Sequence, residues 1–152
     1  MITRLAHVCL KTAQFDAMVR FYRDTLGLPV KFTFINKAGD LFGCYFDAGE
    51  TTFIELFDQA GADVEWGGGT DPLQPNANTF YQHFCFQVDD LDSYRKRLLD
   101  AGLEVTDIHV GLDNSRQCWI KDPDGNAIEL MEYTPTSKEI QPGHDPGPLA
   151  GR

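Results

Sequence analysis

Two histidines and two glutamates lie at matching places in the sequence and could together do chemistry. His7 and His83 each open a strand-like stretch, and Glu55 and Glu129 each lie in a strand-like stretch rich in aliphatic residues. Imidazole nitrogens and carboxylate oxygens are ligands that suit Zn, Ni, Mn, Fe or Co, with coordination positions left over for water or substrate. The set therefore indicates a divalent metal site with two histidine and two glutamate ligands.

Each of these residues has a more ordinary explanation when it is taken alone. A lone strand histidine is more often a hydrogen-bonded core residue than a ligand, and a lone strand glutamate is more often an ion-pair partner at the rim. Glu129, however, has apolar neighbours on both faces of its strand, where an unpaired carboxylate is costly. It needs a cation, a hydrogen-bond partner or a raised pKa.

The two halves of the chain repeat each other, and the four residues fall at equivalent places in the repeat. His-Val-Cys-Leu, which begins at His7, recurs as His-Phe-Cys-Phe at His83, an offset of 76 residues. The Gly-Leu pair that ends each predicted helix recurs at an offset of 75, and Ile-Glu-Leu around Glu55 recurs around Glu129 at 74. Such a steady offset is hard to produce by chance and predicts two copies of one module. The repeat favours the metal site over four unrelated residues.

Periodicity and turn signals predict the same order of elements in each module: strand, helix, strand, strand, strand. The predicted strands of the first module are 4–11, 30–35, 42–47 and 52–57. Its helix is expected to follow a Thr12 cap and to stop at Gly27. The predicted elements of the second module are a strand at 80–88, a helix at 91–101, a strand at 105–110 and a hairpin at 117–133. Asp-Pro-Asp-Gly at 122–125 has the residues of a tight turn and closes the hairpin.

Both modules fit within a single domain, residues 1–134. The first module is expected over 1–58 and the second over 79–134. Between them, residues 59–78 contain three consecutive glycines and two prolines and show little periodicity, which indicates a linker or mobile loop. Residues 135–152 are again rich in Pro and Gly and are expected to form a loose tail.

The bulk composition argues against several classes of protein. The chain has 152 residues, with 13 basic against 23 acidic side chains and a formal net charge of −10. This balance argues against a phosphate-binding surface for nucleic acid and against an anionic membrane. The cysteines lie in strand-like runs without Cys-x-x-Cys spacing, and the sequence shows neither a signal peptide nor an apolar run of about 18 residues. A cytoplasmic protein with reduced thiols is the expected class.

The motifs resemble those of the vicinal oxygen chelate superfamily, which includes glyoxalase I, extradiol dioxygenases, methylmalonyl-CoA epimerase and the fosfomycin and bleomycin resistance proteins. The likeness covers about residues 4–134. It lies in HVCL at the start, FYRDTLGL at the helix end, IEL in the fourth strand, HFCFQVDDLD at the second start and KDPDGNAIELMEY at the close. The resemblance implies an α+β fold in which two βαβββ modules form an eight-stranded, open, barrel-like cleft around a divalent metal.

Within this superfamily, the His, Glu, His, Glu set is most similar to that of glyoxalase I and its relatives. The resemblance implies that His7, Glu55, His83 and Glu129 bind one divalent metal ion, which would be Zn, Ni, Co, Mn or Fe. It also implies catalytic roles for both glutamates, with Glu129 able to leave the metal and act as base in a proton transfer beside a carbonyl. The implied partners are a small-molecule substrate and a second copy of the chain in a homodimer.

Two positions depart from the glutathione-binding members that the chain resembles. Those members have an Arg four residues after the first His and an Asn four residues after the first Glu, where this chain has Lys11 and Gln59. Lys11 could bind a substrate carboxylate as a point charge, without the bidentate fork of an arginine, or be an ordinary surface lysine at a strand end. Glutathione is therefore not the favoured substrate.

Two other functions stay open beside a metal-dependent lyase or isomerase of glyoxalase type. A dioxygenase or thiol transferase could use the same site, although the proteins of those kinds that the chain resembles need only two His and one Glu. A non-enzymatic binder could sequester a small molecule, as bleomycin resistance proteins do, but it would need no metal ligands. The presence of Glu55 as a fourth ligand favours the lyase or isomerase.

Overall fold

The computed structural model of the protein describes residues 4–73 and 81–143. These residues divide into two compact units. The first unit comprises the described residues up to Gln82 together with Lys121–Ala127. The second comprises His83–Ile120 and the described residues from Ile128 onward. The turn of the last hairpin therefore belongs with the first unit, although most of the two strands that it joins belongs with the second.

The first unit has the order strand, helix, strand, strand, strand, followed by a second helix. Its strands are β1 (His7–Thr12), β2 (Val30–Ile35), β3 (Leu41–Asp47) and β4 (Phe53–Asp58), and its helices are α1 (Phe15–Arg20) and α2 (Gln59–Trp66). The strands form one sheet in the order β1-β4-β3-β2, in which β1 and β4 are parallel and the other pairs are antiparallel. This order makes neighbours of residues that are far apart in the sequence.

The second unit repeats this arrangement. Its strands are β5 (His83–Gln87), β6 (His109–Val110), β7 (Arg116–Lys121) and β8 (Ala127–Glu132), and its helix is α3 (Leu91–Asp100). The sheet order is β5-β8-β7-β6, which matches the order in the first unit strand for strand. The two sheets confirm the predicted α+β class with two βαβββ modules. Within residues 4–73 and 81–143, no helix is both long enough and apolar enough to cross a membrane.

Helix α1 begins after Gln14 and not at the predicted Thr12 cap. Thr12 is the fully buried last residue of β1, and its hydroxyl accepts a hydrogen bond from the Gln14 backbone N–H at 2.9 Å. The hydroxyl therefore supports the turn out of the sheet and does not cap the helix. A π-helical segment, Phe21–Thr25, continues α1, and Gly27 follows it with a φ of +82°, as expected for a glycine stop.

One face of the first sheet is covered by α1 and its π-helical extension. Met18 and Tyr22 from the helix and Phe46 and Leu56 from the sheet are all fully buried. The rings of Tyr22 and Phe46 lie 5.5 Å apart. Because side chains alternate along a strand, Glu55 points to the opposite face from Leu56, away from this core.

The segment predicted as a linker, 59–78, begins with regular structure. Asp58 caps α2, because its carboxylate accepts a hydrogen bond from the Gly61 N–H at 2.7 Å. Gly61 also lets the helix lie close to β3, since a Cβ at this position would clash with the Cβ of Phe42. Where the sequence indicated a linker or mobile loop, residues 59–66 therefore form a helix. A cap and a close contact stabilise this helix, which hydrophobic periodicity does not reveal. Residues 74–78 lie outside the described residues.

The predicted strand at 105–110 is a strand only at His109–Val110. Thr106 interrupts the ladder, because its hydroxyl accepts the Trp119 N–H at 2.9 Å while its own N–H donates to the Trp119 carbonyl at 3.1 Å. The Thr106 carbonyl in turn accepts from Arg95 Nε at 2.7 Å. A side chain replaces a backbone acceptor, so the segment runs beside β7 without regular pairing. The preceding predicted strand, 80–88, begins only at His83, and residue 80 lies outside the described residues.

The predicted loose tail at 135–152 is fixed to the second unit in its first part. Ser137 is fully buried, and its hydroxyl oxygen accepts hydrogen bonds from the Ser115 hydroxyl and the Thr134 N–H, both at 2.8 Å. A short 3-10 helix, Lys138–Ile140, follows. The expectation of a loose tail is therefore wrong for these residues, because a buried hydroxyl network anchors them. Residues 144–152 lie outside the described residues.

The predicted Asp-Pro-Asp-Gly turn is present and is organised by Asp122. One oxygen of its carboxylate accepts the backbone N–H groups of Asp124 and Asn126, at 3.0 and 2.9 Å. The other accepts the Tyr22 hydroxyl at 2.8 Å, which ties the turn to the π-helical extension of α1. Gly125 has a φ of +82°, the left-handed conformation that the turn requires.

Candidate functional site

His7 and Glu55 lie side by side on the open face of the first sheet. They come together because β1 and β4 are parallel neighbours, with His7 opposite Phe53 and Cys9 opposite Glu55. His7 Nε2 lies 3.5 Å from Glu55 Oε2. The imidazole is 43% exposed and the carboxylate only 13%, so the pair presents one accessible nitrogen beside a largely buried oxygen donor.

His83 and Glu129 form the matching pair in the second unit. His83 opens β5, Glu129 lies in the middle of β8, and the two strands are hydrogen-bonded neighbours. His83 Nε2 lies 3.2 Å from Glu129 Oε2, and the side chains are 38% and 12% exposed. The structure thus brings the predicted ligands together as two pairs with nearly the same geometry.

Neutral hydrogen-bond donors surround the Glu55 carboxylate. Tyr45 lies opposite Glu55 on β3, and Cys9 lies opposite it on β1. Burial, together with the hydrogen bond to Glu55, raises the pKa of the Cys9 thiol to about 12. The same two causes raise the pKa of the Tyr45 hydroxyl above its ordinary value. Both groups therefore keep their protons at neutral pH and can donate to the carboxylate.

Glu129 has a similar but smaller set of donors. Burial and the negative charge of Glu129 raise the pKa of the Cys85 thiol to about 12, and the thiol also forms a hydrogen bond to the carboxylate. Trp119 stands at the position equivalent to Tyr45 and has no hydroxyl; its ring meets the His83 ring edge-on at 4.7 Å. Among the described residues, neither Glu55 nor Glu129 forms an ion pair with Lys or Arg.

The donor set of the two pairs fits a divalent metal ion. Each pair offers one imidazole nitrogen and one carboxylate oxygen. Each carboxylate is largely buried, and among the described residues histidine is the only basic side chain that pairs with it, so a metal cation would balance its charge. Across residues 4–73 and 81–143, no group of three or more His, Cys, Asp and Glu residues is arranged to hold a metal. Each pair therefore offers two candidate ligands and is called a half-site below, and their joining into one metal site stays a prediction.

Lys11 and Gln59 differ in whether they can meet a ligand. Lys11 is exposed on the same face as His7, opposite Phe57 on β4, and within the described part of the chain it forms neither an ion pair nor a hydrogen bond. Gln59 is only 7% exposed, and its amide donates to the Asp71 carbonyl at 2.6 Å. Gln59 therefore stabilises the loop after α2, whereas Lys11 is available to a ligand.

The sequence did not predict that Phe32, Phe34 and Phe42 contribute to the aromatic surroundings of the first pair. Phe32 stacks on Tyr45 with ring centroids 4.6 Å apart, and Phe34 meets the same ring at 5.8 Å. A signal for them exists, because aromatic residues at alternate positions of a strand point to one face. Phe42 joins this group at a register shift between β2 and β3, which no sequence pattern indicates.

Comparison with known proteins identifies relatives of this chain. The family model of the Glyoxalase/Bleomycin resistance protein/Dioxygenase superfamily matches residues 4–130. A protein of Vibrio parahaemolyticus named "probable lactoylglutathione lyase" is 26% identical over 143 residues, which span 91% of this chain and 96% of the relative.

Solved structures share the fold. A lactoylglutathione lyase from Agrobacterium tumefaciens is 25% identical, with a TM-score of 0.62 over 86% of this chain and 94% of that one. A glyoxalase family protein from Enterococcus faecalis is 22% identical, with a TM-score of 0.63 over 85% and 97%, and shows likeness of fold alone. Since the family match spans most of the chain and includes both histidine–glutamate pairs, the chain belongs to the glyoxalase/bleomycin resistance protein/dioxygenase superfamily.

Proposed function

We propose that the chain is a metal-dependent lyase or isomerase of glyoxalase type, which transfers a proton next to a carbonyl of a small-molecule substrate. The observation that carries the proposal is the pairing of one histidine with one largely buried glutamate in each unit, at 3.5 and 3.2 Å. Membership of the superfamily and the lactoylglutathione lyase name of a 26% identical relative support it.

The ligands of the metal would be His7, Glu55, His83 and Glu129, which together offer two nitrogens and two oxygens. This donor set suits Zn, Ni, Co, Mn or Fe. A divalent ion bound there would polarise neighbouring substrate oxygens and stabilise the negative charge that develops on them. We further propose that the working form is a homodimer, as the resemblance to the superfamily implies.

Glu129 is the better candidate for the base that takes the proton. Its carboxylate is largely buried and has a thiol donor, Cys85, and Trp119 stands where the first module has Tyr45. Glu55 has both the Cys9 thiol and the Tyr45 hydroxyl opposite it on the neighbouring strands. A carboxylate with fewer neighbouring donors is freer to leave a metal and reach a proton of the substrate. In this scheme Glu129 removes a proton from one carbon and returns it to the neighbouring carbon, while Glu55 stays a ligand and the second candidate for the base.

Elemental analysis of protein purified without chelator tests the proposal. We expect near-stoichiometric metal in the wild type and a marked loss in Glu129→Gln, which removes the charge of one ligand and keeps its size. Glu104→Gln, the same change at an exposed glutamate, is the matched control and should keep the metal. With metal restored, hemithioacetals and epimerase substrates are then screened for turnover. A protein that takes up none of Zn, Ni, Co, Mn or Fe would contradict the proposal and favour a small-molecule binder.

A further inference from the structure

A row of aromatic rings leads away from Glu55 along the open face of the first sheet. The ring of Tyr45, next to the carboxylate, lies 5.8 Å from that of Phe34, which lies 5.4 Å from that of Phe57. Phe57 in turn meets Trp66 edge-on at 4.9 Å. These four residues, called the aromatic row below, form continuous contacts from the candidate metal ligand to the end of α2.

The aromatic row is exposed in part and held on fixed elements. Trp66 is 62% exposed, although Lys37 holds the end of α2 through hydrogen bonds to Glu65, from its N–H to Oε2 at 2.6 Å and from Nζ to the carbonyl at 3.2 Å. Aromatic surface that stays exposed on rigid elements is typical of a ligand site.

Gly43 shapes the middle of the row. A Cβ at Gly43 would lie 2.5 Å from Cδ1 of the Phe57 ring, so the glycine allows this ring to lie against the strand. The φ of Gly43 is not in the left-handed region, so alanine would meet no φ strain there, although its Cβ would also lie 3.0 Å from the Leu56 carbonyl oxygen. Glycine at this position therefore makes room for the Phe57 ring and does not form a turn.

Lys11 gives the border of the row a positive charge. Lys11 lies opposite Phe57 in the register of β1 and β4, two strand positions beyond the Cys9–Glu55 pair. It forms no ion pair or hydrogen bond with any residue of 4–73 or 81–143, in a chain whose net charge is −10. A lysine without a carboxylate partner on an apolar face attracts an anion from solution.

We propose that the open face of the first sheet binds a small aromatic acid, with its ring on Phe34, Phe57 and Trp66 and its anionic group at Lys11. The inference rests on the proposed function for the position of the substrate carbonyl, which would lie at the metal beside Glu55. Glu55 and the level of Lys11 are two strand positions apart, a rise of about 7 Å. The substrate class is thus an aromatic carboxylate that also has a carbonyl.

Binding of matched probes to metal-free, full-length protein tests the inference by titration calorimetry. The probe is 4-acetylbenzoate, which has a ring, a carbonyl and a carboxylate. Its amide, 4-acetylbenzamide, lacks the charge, and 4-oxopentanoate lacks the ring. We expect 4-acetylbenzoate to bind about 2- to 5-fold more tightly than either control compound, since one exposed ion pair and one ring contact each contribute this order of affinity.

Three variants assign the preference to the named residues. Lys11→Met should abolish the preference for the acid over the amide and leave the amide unchanged. Trp66→Leu should reduce the preference for the ring, because Phe34 and Phe57 remain, and Gly43→Ala should weaken ring binding by displacing Phe57 without removing any ring. Arg20→Met, which removes a charge from α1, is the control and should change neither preference. Circular dichroism verifies that each variant is folded.

The outcomes separate this inference from the proposed function. The inference is overturned if 4-acetylbenzoate binds no more tightly than its amide, or no more tightly than 4-oxopentanoate. It is equally overturned if no probe binds. It is also overturned if these variants change only self-association, because a second copy of the chain would then cover the face. Metal content is measured on the same preparations. Binding of 4-acetylbenzoate without any uptake of metal would refute the proposed function and leave the aromatic acid site standing.

Discussion

Replacing Tyr22 with phenylalanine would remove one buried hydroxyl and little else. That hydroxyl donates to Asp122 Oδ2 at 2.8 Å, and the two residues are 0% and 5% exposed. The phenylalanine ring fills the same space, so packing against Phe46 is retained. The Asp122 carboxylate would keep only its donors from Asp124 and Asn126. The change therefore tests how strongly the hairpin turn is held to the first unit.

The expected loss is about 2 kcal/mol in the free energy of unfolding at neutral pH, because a hydrogen bond to a charged group contributes about 1.5–3 kcal/mol. For a chain of this size, such a loss lowers Tm by roughly 4–8 °C. Both values assume that no water replaces the missing hydroxyl, as expected for an almost fully buried carboxylate.

The loss should also depend on pH. Burial raises the pKa of the Asp122 carboxyl above its ordinary value, and hydrogen bonds from Asn126 and Tyr22 oppose this rise. A raised folded-state pKa means that the charged carboxylate costs stability at neutral pH and that the cost disappears as pH falls through that pKa. Without the Tyr22 hydroxyl the pKa rises further, since the lost bond favoured the charged form. The gap between wild type and variant is therefore largest at neutral pH and shrinks on acidification.

Urea unfolding followed by circular dichroism, at pH 7 and at about pH 5, measures both effects. Tyr133→Phe is the control, because within the described part of the chain the Tyr133 hydroxyl forms no hydrogen bond, and it should change stability by less than about 0.5 kcal/mol. A Tyr22→Phe protein within about 0.5 kcal/mol of wild type, or one whose loss is the same at both pH values, would refute the reasoning.

Two further predictions concern the half-sites and α2. If each metal site of a homodimer combines residues of both chains, co-expression of His7→Ala and His83→Ala chains should restore about a quarter of the wild-type metal content. Half of the dimers would be mixed, and each mixed dimer would keep one of its two sites intact. Neither variant alone should bind metal, and absence of recovery would show that each chain completes its own site. Gly61→Ala should cost about 1–3 kcal/mol in urea unfolding, because its Cβ would clash with Phe42, while Ala60→Ser at an exposed position of the same helix should be nearly neutral.

Local patterns in the sequence were sufficient to predict most of the helices, strands and turns. Strand alternation, the glycines that end the first helix and the turn at 122–125 depend on neighbours a few residues away, so they can be predicted one stretch at a time. The internal repeat added the module order, which the sheet order β1-β4-β3-β2 and its copy in the second unit confirm. The same repeat singled out His7, Glu55, His83 and Glu129.

Contacts between residues that are distant in the sequence determine the features that local patterns did not predict. Thr12 has the residue type of a helix cap but lies in a buried strand end, and residues 59–66 lack periodicity but form a helix because Gly61 fits against Phe42. Ser137 is fixed in an apparently loose tail by Ser115, the residue before β7. Each of these depends on a partner that is distant in the sequence, and local propensity contains no information about it.

In the candidate site, too, some features could be predicted from the sequence and others depend on the tertiary structure. Residue type and repeat position predict the four candidate ligands, because nitrogen and oxygen donors at equivalent places are visible in the sequence alone. Only the parallel pairing of β1 with β4 placed Cys9 beside Glu55 and Lys11 beside Phe57, and the antiparallel pairing of β3 with β4 placed Tyr45 beside Glu55. A strand's alternation tells which side chains share a face, whereas the register between strands tells which of them touch. That register is set by packing of the whole sheet, and so the tertiary structure decided the surroundings of the ligands.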